Sequence, residues 1–283
     1  MSSPADHVEP NACAPDPGLT IQGFSPGEDY SRTDVLRFMP LERFLSLIEF
    51  EAMWFSRLGA LQDKFEGTNP DGFRAGVLKI AEDPKVVERL KSSGPWDQFV
   101  ATAEHGRTGD DGRLMLLVNC WFIGKEETLE MWRDYGDRGK GIAIRSSVSR
   151  LATAFQIPGD CRLISRVGRI SYVDFRTHEL RTNDANKVAF IKDKSFEKEN
   201  EVRVLTLNSF HSGCLNPDGT QIWGRTFDPN IKGLCIRCDL KVLIRNAIVG
   251  PNSAQHFRML LKRIVARYGL TIDVEYSKVA PFS

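Results

Sequence analysis

The stretch that most constrains this chain is its longest apolar run, Leu114 to Ile123, interrupted only by Asn119. It falls well short of the roughly 18–20 residues that a membrane-spanning helix needs. Leu114 to Phe122 is apolar on both faces, and such a run is expected to be a central strand, covered above and below. The flanking segments alternate between strand and helix signals. Thr33 to Phe38 reads as a short strand, and Pro40 opens a helix with Leu41, Phe44, Leu45 and Ile48 on one face. Ala52 to Ser56 is a second strand, followed by the polar loop Asp63-Lys64-Phe65-Glu66-Gly67.

Residues 73–104 read as helical with a break at Ser92-Ser93-Gly94-Pro95, and Gly106 to Gly112 as a loop. Glu126 to Tyr135 carries Leu129, Met131, Trp132 and Tyr135 on a helix that Gly136 stops. Trp132 and Tyr135, three apart, are expected to be buried against the sheet near the strand Gly141 to Arg145. Ser147 is placed to cap a helix to about Phe155. Cys161 to Val173 is strand-like, with a bulge or turn at Gly168. A polar helix near 179–192 leads into the alternating strand Glu201 to Leu207, and 209–230 reads as loop. Leu234 to Cys238, Ala247 to Val249 and Leu270 to Tyr276 are strands; Asp239 caps a turn, and Ser253 is expected to cap the helix that ends before Gly269. Strands and helices in no regular alternation point to α+β architecture: one domain over 31–283, with a central mixed, mainly antiparallel sheet flanked by helices. Residues 1–30 hold five of the 14 Pro and no periodicity, and are expected to be a flexible arm.

Composition narrows the function classes. Against 37 Asp+Glu stand 38 Lys+Arg, a net charge of +1, which removes the bulk electrostatic case for a nucleic-acid coat or a polybasic membrane binder. The first ten residues show neither the basic region nor the apolar core of a secretory leader, so six Cys are expected to be reduced thiols in a cytoplasmic protein.

No phosphate-binding Walker loop, Rossmann glycine fingerprint, zincin helix or GxSxG elbow is present. Five groupings could carry chemistry. Glu199 and Glu201, two apart at a strand entrance, are expected on one face about 7 Å apart, with Arg203 continuing that face. Such a pair can stabilise an oxocarbenium-like centre, bind ribose hydroxyls or hold a metal; it can equally be a solvated ion pair. Asp63 and Glu66 flank Phe65 and could bind metal, cap a helix or brace an arginine. Trp121, Trp132 and Tyr135 could stack on a flat ring or fill a core. His211 and Cys214 with Cys235 and Cys238 have zinc-like spacing, but Cys235 and Cys238 three apart on a strand point to opposite faces, so no metal is expected. Arg37, charged between Leu36 and Phe38, either alternates to solvent or points into a cleft to bind an anion.

In order along the chain, Leu36-Arg37-Phe38, Trp54-Phe55-Ser56, Asp63-Lys64-Phe65-Glu66, Cys120-Trp121-Phe122, Met131-Trp132-Arg133-Asp134-Tyr135, Gly141 to Ile144 and Lys194 to Arg203 resemble an uncharacterised bacterial family of domains of unknown function. That family usually has Asp-Pro-Phe-Glu where Lys64 stands here, and Trp at the place of Phe196. The layout is also similar to the ADP-ribosyltransferase fold, with Arg37, Ser56 and Glu199/Glu201 in the order of its Arg-Ser-Glu variant, although Ser56-Arg57-Leu58 departs from the usual Ser-Thr-Ser. The resemblance implies an NAD-consuming transferase or glycohydrolase, of a kind met in bacterial toxins and phage-defence effectors. Its substrate would be a small-molecule dinucleotide, its acceptor a protein or nucleic acid, and no membrane partner is implied. Glu201 would stabilise the ribose charge, Glu199 would orient or deprotonate the acceptor, and Arg37 would hold the pyrophosphate or the adenosine ribose. Trp54, Phe65 or Trp132 would stack on nicotinamide, and Ser56, Asp63 and Glu66 would line the same site. Arg37 and Glu201 are expected on neighbouring central strands facing one cleft. Two other readings compete: a metal-dependent nuclease using Asp63, Glu66, Glu199, Glu201 and Lys194, and a non-enzymatic ligand-sensing domain.

Overall fold

The computed structural model describes residues 19–61, 63, 65–68, 84–93, 113, 116–155, 164–178, 185–207, 214–215, 219–220 and 230–283. In chain order these form strand β1 (Thr20–Gln22), β2 (Asp34–Met39), helix α1 (Leu41–Phe50), β3 (Ala52–Arg57), α2 (Pro84–Ser93), β4 (Leu116–Ile123) and α3 (Leu129–Tyr135). Next come β5 (Ile142–Ser147), α4 (Val148–Ala154), β6 (Arg166–Arg169), β7 (Ser171–Val173), β8 (Ile191–Asp193) and β9 (Glu201–Leu207). The chain ends with β10 (Cys214–Leu215), β11 (Gly233–Arg237), α5 (Leu240–Leu243), β12 (Asn246–Val249), α6 (Phe257–Arg267) and β13 (Asp273–Tyr276).

Eleven of these strands form one mixed sheet, ordered β1-β6-β9-β4-β2-β5-β12-β13, with β3, β11 and β10 branching from β4. Most pairs are antiparallel; β1–β6 and β12–β13 are parallel, as is the separate pair β7–β8. The architecture is α+β. Among the described residues no helix is long and apolar enough to cross a membrane.

β4 occupies the centre, as its two apolar faces demand. Leu117 and Trp121 point into the larger core with Phe44, Phe55 and Val204, while Val118 enters a second cluster with Leu58, Phe190 and Leu205 on the other face. One edge of β4 pairs along its length with β9, from Leu116↔Leu207 to Phe122↔Glu201. The other edge is shared. Its C-terminal end pairs with β2 (Val35↔Ile123, Leu36↔Phe122) and its N-terminal end with β3 (Ser56↔Val118, Arg57↔Leu117). Asn119, Cys120 and Trp121 lie between, where β2 and β3 diverge and the sheet is forked.

Several elements depart from the sequence expectations. Within the supposed arm, Thr20–Gln22 is a strand that pairs with β6 and extends the sheet edge. Gly168 makes neither bulge nor turn. It lies inside β6, and a Cβ there would meet Gln22 Cγ at 2.6 Å and the Phe190 ring at 2.9 Å, so only glycine admits both neighbours. The helix expected near 179–192 is, over its described part, a 3-10 turn (Ala185–Phe190) followed by β8. α6 starts at Phe257 after an uncapped His256, because the Ser253 hydroxyl donates to the Lys140 carbonyl (3.1 Å) instead of capping. Of the 73–104 helical segment, Pro84–Ser93 is helical; the rest of it and the Gly106–Gly112 loop lie outside the described residues.

Candidate functional site

The fork opens into a cleft of about 660 Å³, a size ordinary for a small-molecule site. The register decides what faces it. Val118↔Leu205, Cys120↔Arg203 and Phe122↔Glu201 are directly opposed, so Glu201 and Arg203 rise on the face of β4 that carries Cys120 and Phe122. Their spacing of two puts both charged groups on that face, as the sequence suggested.

Arg203 is fully buried and uses every N–H of its guanidinium. Nε and Nη2 donate to Glu201 (2.5 and 3.1 Å), Nη1 and Nη2 to the two oxygens of Glu66 (both 2.8 Å), and Nη1 also to the Ala189 carbonyl (2.9 Å). Glu66 reaches this depth through the turn after β3. Asp63 accepts from the Phe65 amide (2.9 Å), the Glu66 amide donates to the Asp63 carbonyl (3.0 Å), and Gly67 takes a positive φ of 71°. Glu66 therefore plays the bracing role left open by the sequence, clamping an arginine, while Asp63 shapes the turn that delivers it.

A second cation completes the cluster. Lys192 Nζ, buried on β8, lies 3.2 Å from Glu66 Oε1 and 3.6 Å from Glu201 Oε2, and donates to Glu199 Oε2. Glu199 also accepts from the Tyr135 hydroxyl at 2.8 Å. Burial alone would raise the Glu201 carboxyl, but Arg203 and Lys192 outweigh it and hold the group below its usual 4.5. The same carboxylates overcome burial at Lys192 and Arg203 and raise both cations. Burial pushes the Cys120 thiol up, and its hydrogen bond to Glu201 pushes the same way, so it is a poor nucleophile.

Glu199 is not on the strand. Lys194–Glu199 is a 3-10 turn, Asn200 is left-handed (φ 38°), and Glu201 begins β9. Asn200 is held there by its side chain donating to the Ile123 carbonyl and its own carbonyl accepting from the Ile123 amide, both 2.7 Å. The two carboxylates meet around Lys192, not by strand alternation. Their exposures differ: 22% of the Glu199 side chain is open against 5% of Glu201. Glu199 is the carboxylate a ligand can reach.

Arg37 and Glu201 line the same cleft but are not on adjacent strands, because β4 runs between β2 and β9. Glu201, Phe122 and Leu36 are opposed in register, so Arg37, the next residue, leaves β2 from the other face. It reaches the cleft because the sheet is open at the fork, where its guanidinium donates to the Cys120 carbonyl. Trp54 and Ser56 form the β3 wall, with the Trp54 indole donating to Ser56 Oγ (3.0 Å). Asn119 ties the fork together, donating to the Trp54 carbonyl (2.7 Å) and accepting from the Trp121 indole (2.5 Å).

Two expected stacking groups fall elsewhere. Trp132 is fully buried edge-on to Phe38 (4.9 Å), and its indole donates to Glu127 (2.8 Å). Phe65 is about half exposed and lies near Phe175, outside the cleft lining. Tyr135, expected to be buried with Trp132, is 45% exposed at the cleft wall, because its hydroxyl goes to Glu199. Trp121 belongs to the core. Three contributors were missed: Lys192, Tyr172, whose hydroxyl accepts from the Glu201 amide (2.8 Å), and Phe196, whose ring lies 4.7 Å from Lys192 Nζ. No local spacing links these to Glu201, and the helical reading of 179–192 hid the strand that carries Lys192.

The carboxylates surround two cations instead of an open centre, and the lysine among them is Lys192, not the exposed Lys194. That arrangement does not suit a two-metal nuclease, which needs carboxylates converging on a cation-sized space. Cys235 and Cys238 pack in different clusters, on opposite sides of β11; His211 lies outside the described residues. Comparison with protein-family models, with curated proteins and with solved structures found no match.

Proposed function

We propose that this chain is an NAD-consuming enzyme of the ADP-ribosyltransferase kind, breaking the nicotinamide–ribose bond in the cleft at the sheet fork. The observation that carries the reading is the polarity of that cleft. One wall holds Glu199 and Glu201, whose cluster with Glu66, Lys192 and Arg203 has three negative charges against two positive; the other holds Arg37 beside Trp54 and Ser56. A dinucleotide has the matching polarity, with an anionic diphosphate and a cationic nicotinamide ribose.

In the reaction, the C1′–N bond breaks and its electron pair leaves with neutral nicotinamide. The ribose carbon becomes oxocarbenium-like, and an acceptor, either water or a nucleophile of protein or nucleic acid, adds to it and loses its proton. Glu199 is the accessible carboxylate and stabilises the developing charge. Glu201 is a positioning residue here: it accepts from Nε and Nη2 of Arg203 and lies 3.6 Å from Lys192 Nζ, and through Lys192 it orients Glu199.

The test is nicotinamide release from NAD by the purified protein. Glu199→Gln is nearly isosteric but removes the charge, and should lower turnover about 100- to 1000-fold, or ~3–4 kcal/mol, with the thermal midpoint little changed. Folded wild-type protein that neither binds nor consumes NAD would overturn the reading.

A further inference from the structure

α3 carries Met131, Asp134 and Tyr135 into the cleft wall, yet at seven residues it is too short to persist by its own hydrogen bonds. The connection after it is strained. Asp137, Arg138 and Gly139 are left-handed in succession, with φ of 50°, 51° and 81°. Residues other than glycine rarely adopt that region, so Asp137 and Arg138 stay there because neighbours hold them. Asn252, in the turn after β12, does the holding. Its Nδ2 donates to the carbonyls of Arg138 and Phe282 (both 2.8 Å), and its Oδ1 accepts from the Phe282 amide (2.9 Å). Its own amide donates to the Gly139 carbonyl (2.8 Å). Phe282 lies in a segment, residues 277–283, that reaches from one flank of α3 to the other. Ahead of the helix, Glu127 accepts from the Ser277 hydroxyl, the Lys278 amide (3.3 Å) and the Trp132 indole (2.8 Å). Val279 and Phe282 pack on the apolar cluster around Trp132 and Phe38.

We propose that residues 277–283 are a strap that fixes α3 in the cleft wall, with Asn252 as its clasp, and that Tyr135 passes this constraint to Glu199. The strap ties the helix at both flanks and packs over Trp132, and none of its residues lines the cleft. Tyr135, the last residue of α3, then meets Glu199 Oε1 while Lys192 meets Oε2, so the accessible carboxylate is held from both sides. Asn252 and Tyr135 are positioning residues, because both act through Glu199. The proposal rests on the NAD reading for its effect on turnover, but not for its effect on α3 and on the turn that carries Glu199.

Amide exchange in the full chain tests the strap without any turnover. Asn252→Ala should speed exchange about tenfold in α3 and in the Lys194–Glu199 turn, while β3 and β6 keep their protection. Asn252→Asp is nearly isosteric but loses both donors, and should behave as Asn252→Ala does. Phe282→Ala, at a half-buried position, loosens the same contact from the strap side and decides the matter if neither Asn252 variant folds. Tyr135→Phe should speed exchange in the turn alone and leave α3 protected. In NAD turnover, Asn252→Ala and Tyr135→Phe should each lower kcat about 3- to 30-fold with little change in KM. The double variant should be no worse than the worse single one, since both break one chain of contacts. Faster exchange spread evenly over the whole sheet, or additive losses in kcat, overturns the proposal. The two readings fail separately. Protein that leaves NAD intact but shows the exchange pattern discards the NAD reading and keeps the strap. Protein that consumes NAD while α3 and the turn exchange as in wild type after Asn252→Ala discards the strap and keeps the NAD reading.

Discussion

Arg203 shows how a single buried charge organises its surroundings. It has no exposed surface, and its five N–H groups meet Glu66, Glu201 and a backbone carbonyl. Deleting such a group strands its partners. Arg203→Met would leave Glu66 and Glu201 buried with Lys192 as their one remaining cation. Removing one member of a buried ion pair costs about 3–5 kcal/mol, so chemical denaturation should show a loss of that order. A variant as stable as wild type would mean that the cluster is hydrated and contributes little. The spacing Glu201-Val202-Arg203 exposed this pair in the sequence, since residues two apart on a strand share a face. Glu66 and Lys192, 137 and 11 positions from Arg203, carry no such signal. They meet it because a turn after β3 and the strand β8 both fold over β9.

Elements with strong local rules matched their sequence signals. Gly136 ends α3, Ser147 caps α4 and Asp239 caps α5; α3 itself begins at Leu129, later than the Glu126 expected, because Thr128 caps it by accepting from the Met131 amide (3.2 Å). Where a neighbour overrides a local rule, the signal misled. Gly168 resembled a bulge but is a flat strand position against which β1 and Phe190 pack. Gly168→Ala should clash with Gln22 and Phe190 and cost about 1–3 kcal/mol, the range for overpacking. Amide exchange should show the loss concentrated in β1 and β6, and uniform protection across the sheet would contradict it. Asn200 is the other case. A strand pattern ran through it, yet its contacts with Ile123 turn the chain left-handed and lift Glu199 off β9.

Across the molecule, the buried cluster couples folding to pH. Glu201 has a lower pKa folded than unfolded, so its contribution is complete above about 4.5 and is lost as pH falls through the folded value. Lys192 and Arg203 are raised, so theirs are complete below the unfolded values of those cations and vanish only in strong alkali, as pH rises through the folded ones. Unfolding free energy should therefore decline on the acid side below about pH 4.5, and the decline should be shallower in Glu201→Gln. Urea midpoints that fall equally in both proteins would assign the acid sensitivity to other carboxylates.

The α+β class, the central place of β4, most strand positions and the pairing of Glu201 with Arg203 were legible in the order of residues, because alternation, capping and apolar runs are local rules. The cleft was not. It exists because β4 shares one edge between β2 and β3, leaving Asn119 to Trp121 without a strand partner there, and no local pattern reports how an edge is divided. The same holds for Arg37. By alternation it belongs to the far face from Glu201, and it reaches the cleft only where the sheet has parted. Trp132 and Tyr135, alike in sequence, were separated by contacts made elsewhere: Phe38 covers the one, while Glu199 draws the other to the cleft wall. Long-range pairing decides these things because it sets which backbone edges are filled and which side chains find a partner.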